Sequence, residues 1–225
     1  MPADASRTAP IPKDPTLDTE REYFAGGAVC VIGLDEVGRG AIAGPVAVGA
    51  HVVFGDGASF PEGLRDSKLL SEKRRETIAP LVDAWGTGSV GFASAAEIDA
   101  QGITAMLGEA ARRALLRLHD MGVPVDRARI LLDGAHDWLS PVLRSPLAVQ
   151  TKVGADRACA SVAAASVRAK VARDRLMREV DELHPQYAWA ANKGYGSQAH
   201  YAGIAAHGLT ELHRATWIRE SRLGR

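Results

Sequence analysis

Four acidic residues stand where a carboxylate is hardest to solvate. Asp35 and Glu36 end the nearly continuous apolar run that starts at Ala28. Asp133 ends a second run, Arg129-Ile130-Leu131-Leu132-Asp133-Gly134, and Asp156 opens an alanine-rich stretch. One acid at a strand tip is ordinarily a turn former, and one at a helix start is favourable for electrostatic reasons alone. Several gathered together would repel one another unless cations neutralised them. A donor set made only of oxygen suits Mg²⁺ or Mn²⁺ and not zinc. Two such ions, about 3.5–4 Å apart, are the usual device for in-line phosphodiester hydrolysis. Neighbours on a regular strand point to opposite faces, so Asp35 and Glu36 can serve one site only where the strand twists or ends. Gly38 permits that.

Gly38-Arg39-Gly40 follows the first pair of acids directly. Glycines let a backbone approach a ligand closely, and a guanidinium between them can grip a phosphate. The run lacks the third glycine of a dinucleotide-binding fingerprint. Charge is divided along the chain: residues 156–225 carry 11 basic and 7 acidic side chains, whereas residues 1–155 carry 16 and 20. Such a division suits a protein that holds phosphates with one part and cations with another. The basic residues Arg168, Lys170, Arg173, Arg175 and Arg178 wind around their helix without forming one stripe, so they divide between solvated charges and phosphate contacts.

The elements that must position these groups follow from periodicity and punctuation. Residues 28–35 and 129–134 read as strands buried on both faces, with further strands at 46–54, 89–94 and 147–151. Ser71 caps a helix running toward Trp85. A short helical turn is predicted at 96–99 and an amphipathic helix at 104–121. Residues 155–183 are predicted as one small-faced helix that stops before Pro185. A glycine-punctuated loop at 188–200 and short helices near 198–207 and 215–223 complete the chain. Strands first, then alternation with helices, give an α/β domain with a mixed sheet flanked by helices and a small C-terminal helical appendage. The expected divisions are a disordered leader at 1–27, rich in Pro, Ala, Thr and Asp, a core at 28–183 and the appendage at 184–225. Trp189, Tyr201 and Trp217 read as core in preference to a base-stacking surface, and His184, His200, His207 and His213 as surface or capping residues.

The chain has 225 residues, 46% of them hydrophobic and 24% charged, enough to bury a sizeable core and too ordinary for wholesale disorder. No apolar run approaches bilayer length, and the N-terminus has no basic segment leading into an apolar one. Cys30 and Cys159 cannot make a disulfide scaffold or a four-thiolate zinc site. They read as buried, reduced thiols of a cytoplasmic protein with no membrane partner.

The segments Leu34-Asp35-Glu36-Val37-Gly38-Arg39-Gly40 and Ala43-Gly44-Pro45-Val46 resemble the opening of the bacterial ribonuclease HII family, the type 2 ribonucleases H. The resemblance continues in order through Asp66-Ser67-Lys68-Leu69-Leu70-Ser71-Glu72-Lys73-Arg74, Glu97-Ile98-Asp99 and Leu131-Leu132-Asp133-Gly134. It goes on through Asp156 and Ser161 to Asp174, Asn192-Lys193-Gly194-Tyr195-Gly196-Ser197, and His213-Arg214 with Trp217. It spans roughly residues 29–218. Two departures are the run Lys152-Val153-Gly154-Ala155 before the fourth acid and Gly102 where Asn is common in the family. Asp137 is the rival to Asp156; the Ser161–Ser166 block anchors the choice of Asp156.

The resemblance implies an RNase H-like fold and a metal-dependent endoribonuclease. Its substrates would be RNA/DNA hybrids and duplex DNA containing single ribonucleotides, incised 5′ to the ribonucleotide to leave 3′-hydroxyl and 5′-phosphate ends. Asp35, Glu36, Asp133 and Asp156 would be the catalytic acids holding two Mg²⁺ or Mn²⁺ ions. Gly38, Arg39 and Gly40 would sense the ribose 2′-hydroxyl, the one group separating ribose from deoxyribose. Tyr195 would stack on the neighbouring deoxyribose, and Ser67, Lys68, Ser166 and Lys170 would meet backbone phosphates. The expected form is a monomer. The alternative is a nucleic-acid-binding protein of the same fold without cleavage activity.

Overall fold

A computed structural model describes residues 14–55 and 59–222. A helix, α1 (Asp18–Ala25), precedes β1 (Cys30–Val37) and β2 (Val46–Phe54). Then come α2 (Glu72–Trp85), β3 (Gly88–Ala93), α3 (Ala95–Gln101) and α4 (Ile103–Asp120). β4 (Ala128–Asp133), β5 (Ala148–Lys152), the single turn α5 (Ala155–Ala158) and the long α6 (Ala160–Leu183) complete the core. After α6 lie α7 (Trp189–Asn192), α8 (Gln198–His207) and short 3-10 turns. The five strands form one mixed sheet in the order β3-β2-β1-β4-β5. β1 pairs antiparallel with β2 and parallel with β4, and β4 pairs parallel with β5. The mixed sheet flanked by helices is therefore as the sequence reads.

The two faces of the sheet are packed differently. On one, Cys30, Ile32 and Leu34 of β1 and Ile130 and Leu132 of β4 meet Leu107, Ala111 and Leu118 of α4. On the other, Val31 and Leu131 meet Ala155, Cys159 and Val162 of α5 and α6. The small face of α6 lets it lie on the backbone of β1 and β2: a Cβ at Gly33 would collide with the Ser161 backbone, and one at Gly49 with the Ala165 carbonyl. The helix comes this close because both partners lack side-chain bulk at the crossing.

Four expectations need correction. Residues 14–25, assigned to a disordered leader, are ordered: Leu17 is buried against Ala160, Ala163 and Ala164, and Tyr23 and Phe24 pack beside Val31 and Cys159. Their apolar side chains supply the burial that a polar composition concealed; residues 1–13 of that leader lie outside the described residues. The single helix expected over 155–183 is broken at Cys159, which is extended (φ −120°, ψ 127°) and forms a one-residue parallel bridge with Thr16. The 188–200 loop contains α7, and His200 and His213, read as surface residues, are buried. Trp189 and Tyr187 are buried with Ile42, Ala43, Met177 and Ile204, so the C-terminal segment shares one apolar cluster with the core. Both cysteines are free and buried. Among the described residues no helix is long and apolar enough to cross a membrane.

Candidate active site

Strand alternation decides which acids meet. Asp35 follows Val31 and Gly33 on the α6 face of β1, and Asp133 follows Leu131 on the same face of the parallel neighbour β4. Asp156 is the second residue of α5, which enters from Gly154 in the left-handed region (φ 72°) and packs on that face too. The Asp156 N–H donates to Asp133 Oδ1 at 3.4 Å. Asp35, Asp133 and Asp156 each offer a carboxylate oxygen within 4.8 Å of the others. Glu36, one residue on, stands on the opposite side of its strand and lies 3.6 Å from Arg39 Nη1. It remains within the field of the trio, since Asp133 raises its pKa in addition to burial. Asp137 belongs elsewhere: exposed, it accepts the N–H groups of Leu139 and Ser140 and the Ser140 hydroxyl, closing a turn.

The trio carries more negative charge than its surroundings neutralise. Burial pushes the Asp35 carboxyl well above the usual carboxylate range, against the pull of Lys68 and the Ser166 hydroxyl. Burial, then Asp156, raises the Asp133 carboxyl too. Lys68 lays its Nζ 3.0 Å from Asp156 Oδ2. Against the burial that would lower it, Asp35, Asp156 and Asp66 hold its ammonium above its ordinary value. A fifth acid that sequence reasoning missed stands beside them. Asp66 is buried, accepts the Lys68 N–H at 3.0 Å, and is raised by burial and by the neighbouring Asp156. Its signal was its place immediately before Ser67 and Lys68.

A cleft of about 210 Å³ opens beside the acids, lined by Glu36, Gly38, Arg39, Gly40, Lys68 and Tyr195, with Ser67 and Lys170 completing its wall. Most residues expected to touch substrate therefore do share one surface. Ser166 does not reach it directly: it is buried, with its Oγ 2.8 Å from Ser67 Oγ. Lys170 holds Asp174 at 2.6 Å.

The loop between β1 and β2 is pinned by two buried arginines, Arg173 and Arg214, which lie within longer sequence patterns that do not reveal this role. Arg214 donates to the carbonyls of Gly38, Arg39 and Gly44. Arg173 donates to those of Ala43, Pro45 and Lys193. Burial, then the charge of Arg173, lowers the Arg214 pKa to about 10. Gly38 has φ +81°, and a Cβ there would strike the Arg173 side chain. Gly40 is different: a Cβ would meet nothing within 4 Å. Across the cleft, Lys193 (φ 51°) and Gly194 (φ 81°) turn the backbone so that the Gly194 carbonyl accepts from Ile42 and Ala43 while Tyr195 stands exposed.

Of the basic residues wound around α6, Arg168 bonds Asp83, His51 and two carbonyls, and Arg175 and Arg178 pair with Glu72 and Glu76. Only Lys170 of that set lines the cleft.

Residues 32–220 match the family model described as Ribonuclease HII. The chain is 46% identical over 205 residues to the Ribonuclease HII of Streptomyces avermitilis, covering 90% of this chain and 83% of that protein. Among solved structures it is similar to the RNase HII of Archaeoglobus fulgidus, solved in complex with PCNA, with a TM-score of 0.66, 27% identity and coverage of 84% and 96%. It is similar also to Bst-RNase HIII solved with Mn²⁺, with a TM-score of 0.69, 24% identity and coverage of 87% and 69%.

Proposed function

The chain belongs to the ribonuclease HII family and is an endoribonuclease, and from that premise we propose that it incises duplex DNA 5′ to embedded ribonucleotides as well as cleaving RNA paired to DNA. The supporting observation is the adjacency of two differently built surfaces: three carboxylates within 4.8 Å of one another, and beside them the cleft of Gly38, Arg39, Gly40 and Tyr195.

The acids fit a hard divalent cation. All three donors are oxygen, two have carboxyls raised by burial, and the charges set against them are Lys68 at 3.0 Å and Arg157 at 4.0 Å, both on Asp156. Asp35, Asp133 and Asp156 would hold the metal, and Glu36, which lines the adjoining cleft, would add a fourth carboxylate for a pair of ions. Bound as a pair, Mg²⁺ or Mn²⁺ ions supply an ionised water for attack and a counter-charge for the leaving 3′ oxygen, giving 3′-hydroxyl and 5′-phosphate ends.

The protein's own residues do the recognition. Gly40 has no internal reason to be glycine, since a side chain would meet nothing of the protein; an approaching ribose supplies one. The backbone at 38–40 would read the 2′-hydroxyl, and Arg39, half of whose side chain is exposed, would grip the adjoining phosphate. Exposed Tyr195 would stack on the deoxyribose that follows the ribonucleotide. Lys68, Ser67 and Lys170 would hold backbone phosphates, with Ser166 supporting Ser67 from below. The segment from residue 184 onward acts in this reading as a substrate-binding appendage to the core, and the protein works as a cytoplasmic monomer.

The test is a DNA duplex with one internal ribonucleotide, incubated with Mg²⁺ or Mn²⁺. A nick 5′ to the ribonucleotide is the expected product. Binding without any nick would replace this reading with that of a non-cleaving binder of the same fold.

A further inference from the structure

Asp156 hangs from a turn only four residues long, so its position depends on what fixes both ends of that turn. Upstream, β5 pairs with β4 through Asp133↔Lys152, and Gly154 starts the turn. Downstream, the chain breaks at Cys159, and the break is held from outside. The Thr16 N–H donates to the Ala158 carbonyl at 3.0 Å, and the Thr16 carbonyl accepts from the Ala160 N–H at 2.9 Å. One helical turn further along α1, Glu20 is fully buried, and its Oε1 accepts from the Ser161 N–H at 2.8 Å and the Ser161 hydroxyl at 2.6 Å.

The first turn of a helix leaves N–H groups without partners, and α6 has no capping side chain of its own. Glu20 supplies the cap from another element, placing a carboxylate at the positive end of a 24-residue helix. Ser161 is pressed from its other side against Gly33, two residues before Asp35. Lys152, opposite Asp133, reaches back to Thr19 Oγ1 at 2.7 Å. Thus α1 touches the supports of all three acids while touching none of the acids' oxygens.

We propose that Glu20 is a positioning residue for Asp156, setting through Ser161 and the Cys159 break the separation at which the three carboxylates capture a divalent ion. The proposal rests on the reading that these acids bind metal. Burying a carboxylate is costly unless its bonds repay it, and Glu20 leaves its Oε2 without a partner. A residue serving only to fill space would be apolar.

Mn²⁺ titrated calorimetrically into the full-length chain tests this, with thermal midpoints measured in parallel for wild type, Glu20→Ala, Ser161→Ala and Asp156→Asn. Glu20→Ala is expected to weaken Mn²⁺ binding by about tenfold or more, as loss of a residue orienting a ligand does. Nicking is expected to recover toward the wild-type rate at saturating Mn²⁺. Ser161→Ala keeps the backbone bond to Glu20 and is expected to show a smaller loss of the same sign. Wild-type Mn²⁺ affinity in Glu20→Ala, with only a lower thermal midpoint, overturns the proposal. Should Glu20→Ala fail to fold, unchanged affinity in Ser161→Ala, which loses the 2.6 Å hydroxyl bond, overturns it equally. Asp156→Asn reports on the underlying reading: if it too binds Mn²⁺ like wild type, the acids are not the metal site.

Discussion

The two sides of the cleft are built by opposite means. The acids stand on regular structure: two parallel strands and a helical turn, each set by pairing or packing that any α/β protein would show. The facing loop has almost none. Residues 38–45 are irregular, and their carbonyls are held by the buried side chains of Arg173 and Arg214, which bond to those carbonyls and form no ion pair among the described residues. A metal site asks for charge density and tolerates the destabilisation that comes with it. A surface that reads one hydroxyl asks for backbone atoms held still, and five-donor guanidiniums are suited to hold them. The first side should therefore fail in chemistry when altered, and the second in folding or discrimination.

The largest expected effect is on the acid side. Asp35→Asn removes a ligand charge and should lower nicking by about 1000-fold or more, roughly 4 kcal/mol of transition-state stabilisation. Its thermal midpoint in the absence of metal should not fall, because the amide removes a carboxylate whose burial is unfavourable. Retained nicking, or a clear loss of stability, would erase the contrast between the two sides.

The loop side offers a finer separation, because its two outer glycines exist for different reasons. Gly38→Ala puts a side chain at positive φ and against Arg173, which should cost about 2 kcal/mol of stability. Gly40→Ala meets no protein atom and should leave stability within about 0.5 kcal/mol. The same Gly40→Ala change should slow nicking at a single ribonucleotide by about tenfold, roughly 1.4 kcal/mol, by holding the ribose away. Denaturation and single-turnover kinetics on both variants would decide this; equal stabilities would show that Arg173 does not pin the loop through Gly38.

How much of this was legible in the sequence follows the same divide. Asp35 and Asp133 end apolar strands and Asp156 opens a helix; with the family resemblance to choose Asp156 over Asp137, all three could be named before any coordinates. Their relation to Glu36 was legible as a geometric question, answered by alternation on β1. Elements such as β2 fell where the apolar pattern put them, from Val46 to Phe54. The supports were hidden. Arg173 and Arg214 bond to backbone carbonyls, which carry no signature in composition, and a buried arginine looks in sequence like a solvated one. Glu20 sat in a stretch whose prolines and polar residues spoke for disorder, although Leu17, Tyr23 and Phe24 repeat at roughly helical spacing around it. His200 and His213 showed no ligand spacing; their ring nitrogens are taken up by each other, by the Trp189 indole and by the main chain.

Those two histidines give the smallest and most selective test of the loop side. The Tyr195 carbonyl can only accept, so His200 Nδ1 carries a proton and donates to it at 2.9 Å. His200 Nε2 is then an acceptor, taking the Trp189 indole N–H at 2.9 Å and the His213 Nε2–H at 3.1 Å. His213 Nδ1 accepts the Thr210 N–H at 2.9 Å. A further proton on either ring would set two donors face to face. Burial, then the neighbouring His200, lowers the His213 pKa to about 4, and burial lowers that of His200. The unfolded chain, with a histidine pKa near 6.5, takes up protons first, so this contribution to stability is complete above about pH 6.5 and is lost progressively down to about pH 4. Between about pH 7 and pH 5.5 the His213 share amounts to about 1 kcal/mol. The acid side changes in the other direction, since raised carboxyls in the folded state take up protons before their unfolded counterparts. Subtracting the stability profile of His213→Asn from that of wild type isolates the histidine share. A difference that grows less favourable to wild type as the pH falls through this window is expected; a flat one would mean that the pair behind Tyr195 is not the neutral network drawn from its bonds.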